Sequence, residues 1–438
     1  MMQKSIKLRI LSFVVIKIFR KIMENIKELN RFLFKDYAIE EGLAKWENSI
    51  SRENELLQKP FDIRSPFDRD NNRILHSSAY RRLKHKTQVF FATNNDHVCT
   101  RIEHVNHVAS ISKTISKALG LNVALSEAIA LGHDLGHSPF GHHGERIIEK
   151  IMDENGFQTK FWHEKNSLRF VDVIETLPNY TGYKENLNLT YAVRDGIVCH
   201  CGEVNENFIK PREEFIDLNI IEKGKQMPYT YEGCIVKISD KIAYLGRDIE
   251  DASNYKFFDR DDWMTLKQLA QEVMKQKVKF KDINTSSLIH EFITNLCMNS
   301  TPDKGLGFSK EYYEMMSKIK KFNFEKIYSN KRFIPFMDYA RLVINTIFDF
   351  LLGYYSDYNT IHKLTKYSRF YPTLTRDFSD WLIKYSNIDE KSHKLRKYVN
   401  KIIYDISNPQ DYKQAIIDYI SGMSDNYAIK AYNELIEF

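Results

Sequence analysis

Along the 438-residue chain, apolar positions recur at the three- and four-residue spacing of an α-helix. The clearest run is Arg101–Leu119, where Ile102, Val105, Val108, Ala109, Ile111, Ile115 and Leu119 share a face and Gly120 ends the pattern. Residues 125–135 are largely apolar, which predicts a buried helix broken at Gly136. Further helices are predicted over 145–152, 161–174, 188–198 and 231–252. In the last of these one face is apolar, while Asp240, Tyr244, Asp248 and Asp251 recur along another. Residues 77–83 read as helix, 24 to about 60 as polar and helix-prone, 64–70 as turn-rich, and 202–230 as a long polar connection. Beyond about 260 the pattern stays helical and rich in Lys, Phe and Tyr. The 17 glycines and 10 prolines are too few for a sandwich or barrel with many tight turns, so the chain reads as all-α. It has no internal repeat and no Gly-rich phosphate loop.

Composition narrows this only a little. With 43% hydrophobic and 28% charged residues the chain is an ordinary globular protein, long enough for one large or two ordinary domains. A net charge of +6 fits an anionic ligand without arguing for nucleic acid. Five irregularly spaced cysteines do not make a disulfide framework, so a reducing cytoplasm is expected. Cys199-His200-Cys201 lacks the spacing of a zinc pair, and no second Cys pair follows, so it reads as a helical segment with two small, soft side chains. Near the N-terminus, Lys17 and Arg20 interrupt the apolar run 10–16, which is too short to span a bilayer; no membrane is expected. The first 22 residues are expected to precede a natural start at Met23.

Chemistry concentrates in residues 128–145, A-I-A-L-G-H-D-L-G-H-S-P-F-G-H-H-G-E. Eight of the fourteen histidines fall between His97 and His163, far more than packing requires. Imidazole is the commonest protein metal ligand, and a neighbouring carboxylate adds a hard oxygen. His104 lies on one predicted helix, His133 and Asp134 end the next, and Asp240 lies on a third. Two imidazoles and two carboxylates suit Mn²⁺, Fe²⁺, Co²⁺ or Zn²⁺ and, less naturally, Mg²⁺. They leave positions on a six-coordinate ion for a phosphate oxygen and water.

The ordered blocks R-R-L-K-H-K-T-Q-V-F (81–90), R-I-E-H (101–104), the stretch 127–145, F-W-H-E-K-N-S-L-R (161–169), N-L-T-Y-A-V-R-D-G-I (188–197) and D-K-I-A-Y-L-G-R-D-I-E-D (240–251) resemble the dGTP triphosphohydrolase, or dNTPase, family of HD-domain phosphohydrolases. That resemblance implies a helical HD core over 36–260, after an N-terminal tail or helix over 1–35 and before a phosphohydrolase-associated helical region over 261–438. It implies metal ligands at His104, His133, Asp134 and Asp240, and catalytic or phosphate-contacting histidines at His137 and His163, with Glu145 orienting His163. Arg101, His142 and Lys241 would contact phosphate; Gln88 and Asp248 would bind the 3′-hydroxyl; Tyr244 would lie under the sugar. The implied reaction converts a dNTP, dGTP among them, to deoxynucleoside and intact triphosphate. Homo-oligomers, including hexamers, and an allosteric dNTP are further implications. Competing readings are a 5′-nucleotidase, a (p)ppGpp hydrolase, or a nucleotide or single-stranded nucleic-acid binder carrying the basic, aromatic C-terminal half.

Overall fold

The structure, a computed structural model, describes residues 32–56, 61–91, 97–201, 206–274, 285–388 and 395–437. Most of the expected N-terminal tail, and the expected start at Met23, lie outside the described residues.

The segment expected to be turn-rich is instead the start of helix α1 (Pro66–His76). Ser65 Oγ accepts a hydrogen bond from the Asp68 amide, the Asp68 carboxylate accepts one from the Ser65 amide, and Pro66 occupies the first turn, where its missing N–H costs nothing. A Ser-Pro-x-Asp sequence is a helix start as much as a turn. Helix α2 (Arg101–Leu119) is opened by a Thr100–Glu103 capping box and closed by Gly120 at φ +81°, where a side chain would also meet Phe32. Its apolar face buries Val105, Val108, Ile111, Ile115 and Leu119, each worth about 1.5–3 kcal/mol. Helix α3 (Val123–Gly132) is capped by Asn122. Helices α4 (Gly141–Glu154), α5 (His163–Arg169), α6 (Tyr191–Cys199) and α7 (Tyr231–Asn254) complete the core. Helix α3 lies between α1, α2 and α6, and α7 packs across α2, α3 and α6.

Two expectations shift. The helix predicted from residue 188 starts at Tyr191, because Asp70, fully buried, takes the Thr190 amide and hydroxyl at 2.8 and 2.6 Å. Residues 32–56 hold only a short helix, Trp46–Ile50, and a single turn at Lys35–Tyr37. There, tertiary bonding overrides local propensity: buried Glu232 accepts from the amides of Ile39 and Asn122 at 3.0 and 2.9 Å.

The C-terminal half is helical as expected and includes α8 (Lys310–Asn323), α9 (Ile334–Leu352), α10 (Pro409–Ser421) and α11 (Asp425–Ile436). The all-α reading holds: among the described residues the only sheet pairs β1 (Thr176–Pro178) with β2 (Lys184–Asn186), antiparallel with Leu177 opposite Glu185. No described helix is long and apolar enough to cross a membrane. Helix α9 packs on α4 and is backed by α10 and α11.

One buried carboxylate stitches the halves together. Asp425 accepts the Phe140 amide at 2.9 Å, the Thr87 amide at 2.9 Å and the Thr87 hydroxyl. Buried Lys86 donates to the carbonyls of His137 and Ser421 beside it. Phe140 sits at φ +63°, a strained value held by these bonds. Replacing Asp425 with Ala strands two amides and should lower unfolding free energy by about 2–4 kcal/mol. Asp338→Ala, which removes an exposed partner of Arg341, should change it by about 0.5 kcal/mol or less. Urea denaturation of both variants checks this.

Candidate active site

The loop between α3 and α4 is held in shape from below. Gly136 donates its amide to Ser167 Oγ at 2.9 Å, and Asn166 Nδ2 donates to the Gly136 carbonyl at 2.6 Å. Ser167 Oγ donates to the His133 carbonyl at 2.8 Å. A side chain at position 136 would come within 2.1 Å of the Ser167 amide nitrogen, so only glycine fits against α5. The run from His133 to Glu145 is thus pinned to the helix that carries His163.

His104, His133 and Asp240 meet from three helices. His104 Nε2 lies 2.9 Å from Asp240 Oδ1, and His133 Nε2 lies 4.0 Å from the same oxygen and 3.5 Å from Asp134 Oδ1. Nδ1 of His133 is 2.7 Å from the Ala130 carbonyl and donates to it, which leaves Nε2 as a bare lone pair. That nitrogen is buried without a partner. An orphaned imidazole nitrogen facing two carboxylates fits a cation and little else. Burial opposes the charge on Asp240, yet the hydrogen bond and charge of His104, with His133 nearby, hold its carboxyl well below the usual carboxylate range. Asp134 is likewise buried and held low by His137, His133 and Arg101. Both are anionic donors, and this N/O set can hold a divalent ion.

Beside the cluster, Arg101 pairs with Asp134 Oδ2 at 2.7 Å, while its Nε and second terminal nitrogen are buried and unpartnered. The His137 and His163 rings stack at 3.8 Å between centroids. His137 Nε2 is 3.0 Å from Asp134 Oδ1, and its Nδ1 is buried and unpartnered. Burial, Arg101 and His163 push the His137 imidazolium well below its usual range, so the ring is neutral near pH 7. For His163, burial also disfavours charge, but Glu164 and Glu145 outweigh it and raise its pKa to about 9. Glu145 Oε2 lies 3.1 Å from His163 Nδ1 and 3.2 Å from His142 Nδ1.

These groups line a cavity of about 720 Å³. Gln88, Arg101, His104, Asp134, His137, His142, His163, Asp240, Tyr244 and Asp248 all face it. His133 lies directly behind, fully buried, and Glu145 holds two of the lining histidines. Lys241 is half-buried on α7 and is not among the lining residues. Asp248 accepts a hydrogen bond from the Tyr328 hydroxyl, and burial pushes its carboxyl up to about 7.

Sequence reading missed the far wall. Arg146 on α4, Lys320 on α8, and Phe324, Tyr328, Lys331 and Met337 near α9 all line the cavity. Apart from Arg146 their stretch carries no reactive motif, and the packing of α8 on α7 and of α9 on α4 brings them to the site. His200 and Cys201 also reach the lining, just after α6.

Comparisons with known proteins agree with this geometry. An HD domain matches residues 101–245, and a phosphohydrolase-associated domain matches residues 385–434. HD domains are metal-dependent. The chain is 32% identical over 415 residues to a deoxyguanosinetriphosphate triphosphohydrolase-like protein of Caldanaerobacter subterraneus, covering 95% of this chain and 96% of that protein. Proteins of the same description from Rickettsia bellii and Leptospira interrogans are each 31% identical, over 86% of this chain and 93% and 91% of theirs. With its HD cluster assembled and its length matched almost end to end, the chain belongs to the deoxyguanosinetriphosphate triphosphohydrolase-like family of HD-domain proteins.

Proposed function

We propose that the chain is a metal-dependent triphosphohydrolase that converts a dNTP, dGTP among the substrates, and water to deoxynucleoside and triphosphate. The observation that carries this reading is the buried, part-unpartnered guanidinium of Arg101 beside a metal-type cluster in one cavity. Arginine donors left unpaired in a cavity call for phosphate oxygens. Arg146, Lys320 and Lys331 on the same walls add positive charge opposite a tetra-anionic substrate.

His104, His133, Asp134 and Asp240 would hold the ion. When bound, it supplies positive charge to phosphate oxygens and acidifies water. Attack of water at the α-phosphorus breaks the bond to the sugar 5′-oxygen, and the leaving oxygen must take a proton. His163 is suited to give it: Glu145 fixes Nδ1, the ring lines the cavity, and it is protonated near neutral pH. His137, neutral with Nε2–H on Asp134, offers its Nδ1 lone pair to the proton lost by water. At the other end, Asp248 and Gln88 bind the 3′-hydroxyl and Tyr244 stands where a 2′-hydroxyl would be. The division at about residue 260 belongs to the same reading, with the C-terminal region as the far wall of the site. So does assembly into a homo-oligomer with an activating dNTP.

Purified protein given each dNTP with Mn²⁺ or Mg²⁺, singly and mixed, should release deoxynucleoside and intact triphosphate on ion-exchange chromatography. Monophosphate with pyrophosphate, or orthophosphate alone, would overturn the reading; turnover only in mixtures would identify the activator. His133→Ala and Asp240→Ala should each weaken Mn²⁺ binding by more than about 100-fold in calorimetry and abolish turnover with unchanged circular dichroism. Raising pH through about 9 should cost activity: His163 keeps its proton below that value and loses it above. In His163→Ala the rate should fall by about 10²–10⁴ and that limb should vanish. Tyr244→Ala should erode dNTP-over-NTP selectivity by about tenfold or more in competition assays.

A further inference from the structure

Beside the cluster described above lies a second set of donors with softer character. Helix α6 ends at Cys199, and Lys237 from α7, itself buried, donates to the carbonyls of Cys199 and His200 at 3.4 Å each and to that of Cys201. This clamp on the helix C-terminus fixes the direction of the next two side chains. His200 Nδ1 is 2.7 Å from the Ile197 carbonyl, so its Nε2 is the lone pair, and that atom is buried without a partner. Cys201 Sγ lies 3.7 Å from His163 Nε2. Glu164, 1% exposed, places a carboxylate oxygen 3.4 Å from His163 Nδ1. One donor atom from each of His163, Glu164, His200 and Cys201 falls within 4.8 Å of all the others.

We propose that these four residues form a second cation site, selective for a soft ion such as Zn²⁺, and that filling it blocks hydrolysis. Zinc takes nitrogen at about 2.0–2.1 Å and sulfur at about 2.3 Å, which puts N and S about 3.6 Å apart on a tetrahedral edge. The observed 3.7 Å matches. Both imidazoles already have the outer-sphere partner that zinc-bound histidine uses: Glu145 on His163 Nδ1 and the Ile197 carbonyl on His200 Nδ1. A thiolate favours zinc over the harder ions suited to the neighbouring N/O cluster. His200 also approaches His133, with ring centroids 4.8 Å apart, so the two sites adjoin. The blocking effect rests on reading His163 as the acid, since an ion on its Nε2 occupies the position of the transferred proton. Binding does not rest on it.

Cobalt(II) titration of the metal-free full-length chain separates the two. Only a thiolate site gives sulfur-to-cobalt charge-transfer absorption in the near ultraviolet. That band should appear in the wild type, persist in Cys297→Ser, and vanish in Cys201→Ser; His200→Gln should weaken cobalt affinity there by about tenfold or more. Circular dichroism confirms that each variant is folded. No band in the wild type, or a band retained in Cys201→Ser, overturns the site. In Mn²⁺-supported assays, the zinc concentration that halves each protein's own zinc-free rate should be at least about tenfold higher in Cys201→Ser. Equal sensitivity with the cobalt band present overturns the blocking role and counts against His163 as the acid.

Discussion

Asp134 carries the electrostatic burden of the site. It is 3% exposed, and a bare carboxylate there would be prohibitively costly. Two groups compensate: Arg101 at 2.7 Å and the Nε2–H of His137 at 3.0 Å. Each comes from a different turn of the chain, so the charge balance sets the relative positions of α2, the end of α3 and the loop before α4. The same balance leaves donors over: two Arg101 nitrogens and His133 Nε2 have nothing to bind within the fold. Buried polar atoms left without a protein partner beside a cavity mark the place of a ligand.

The rest of the molecule holds that arrangement still. Ser167 and Asn166 lock the loop from one side, and Asp425 with Lys86 locks it from the other. The second lock comes from the C-terminal end of the chain, and it explains why the associated helical region is not an appendage. The region clamps the histidine loop while α8 and α9 close the cavity. The histidine and carboxylate cluster sits on the segment matched by the HD domain, and the far wall of the cavity is built by residues 320–337.

Legibility followed sequence distance. The 133–145 cluster was readable because its donors are crowded into one turn-rich stretch, and α2 and α7 because their apolar period runs unbroken for five turns or more. His104 and Asp240 could be placed on those rods by spacing alone. What could not be read depended on contacts between remote segments. His200 and Cys201 looked idle beside one another; their partners, His163 and Glu164, are supplied by α5. Lys320 and Tyr328 belong to a stretch with no motif, and Tyr328 reaches Asp248 only through the packing of the C-terminal helices. Lys241 is next to Asp240 in sequence but is not among the residues lining the cavity. The start of α1 is ambiguous in sequence even with its cap in view, because Ser-Pro-x-Asp opens helices and turns alike.

The proposed reaction stands or falls on which bond is cut. Hydrolysis of dGTP in ¹⁸O-water, followed by mass spectrometry of the products, tests it directly. Water attacking the α-phosphorus puts the label into the released triphosphate and none into the deoxynucleoside. Label in a nucleoside monophosphate, in pyrophosphate or in the sugar would contradict it.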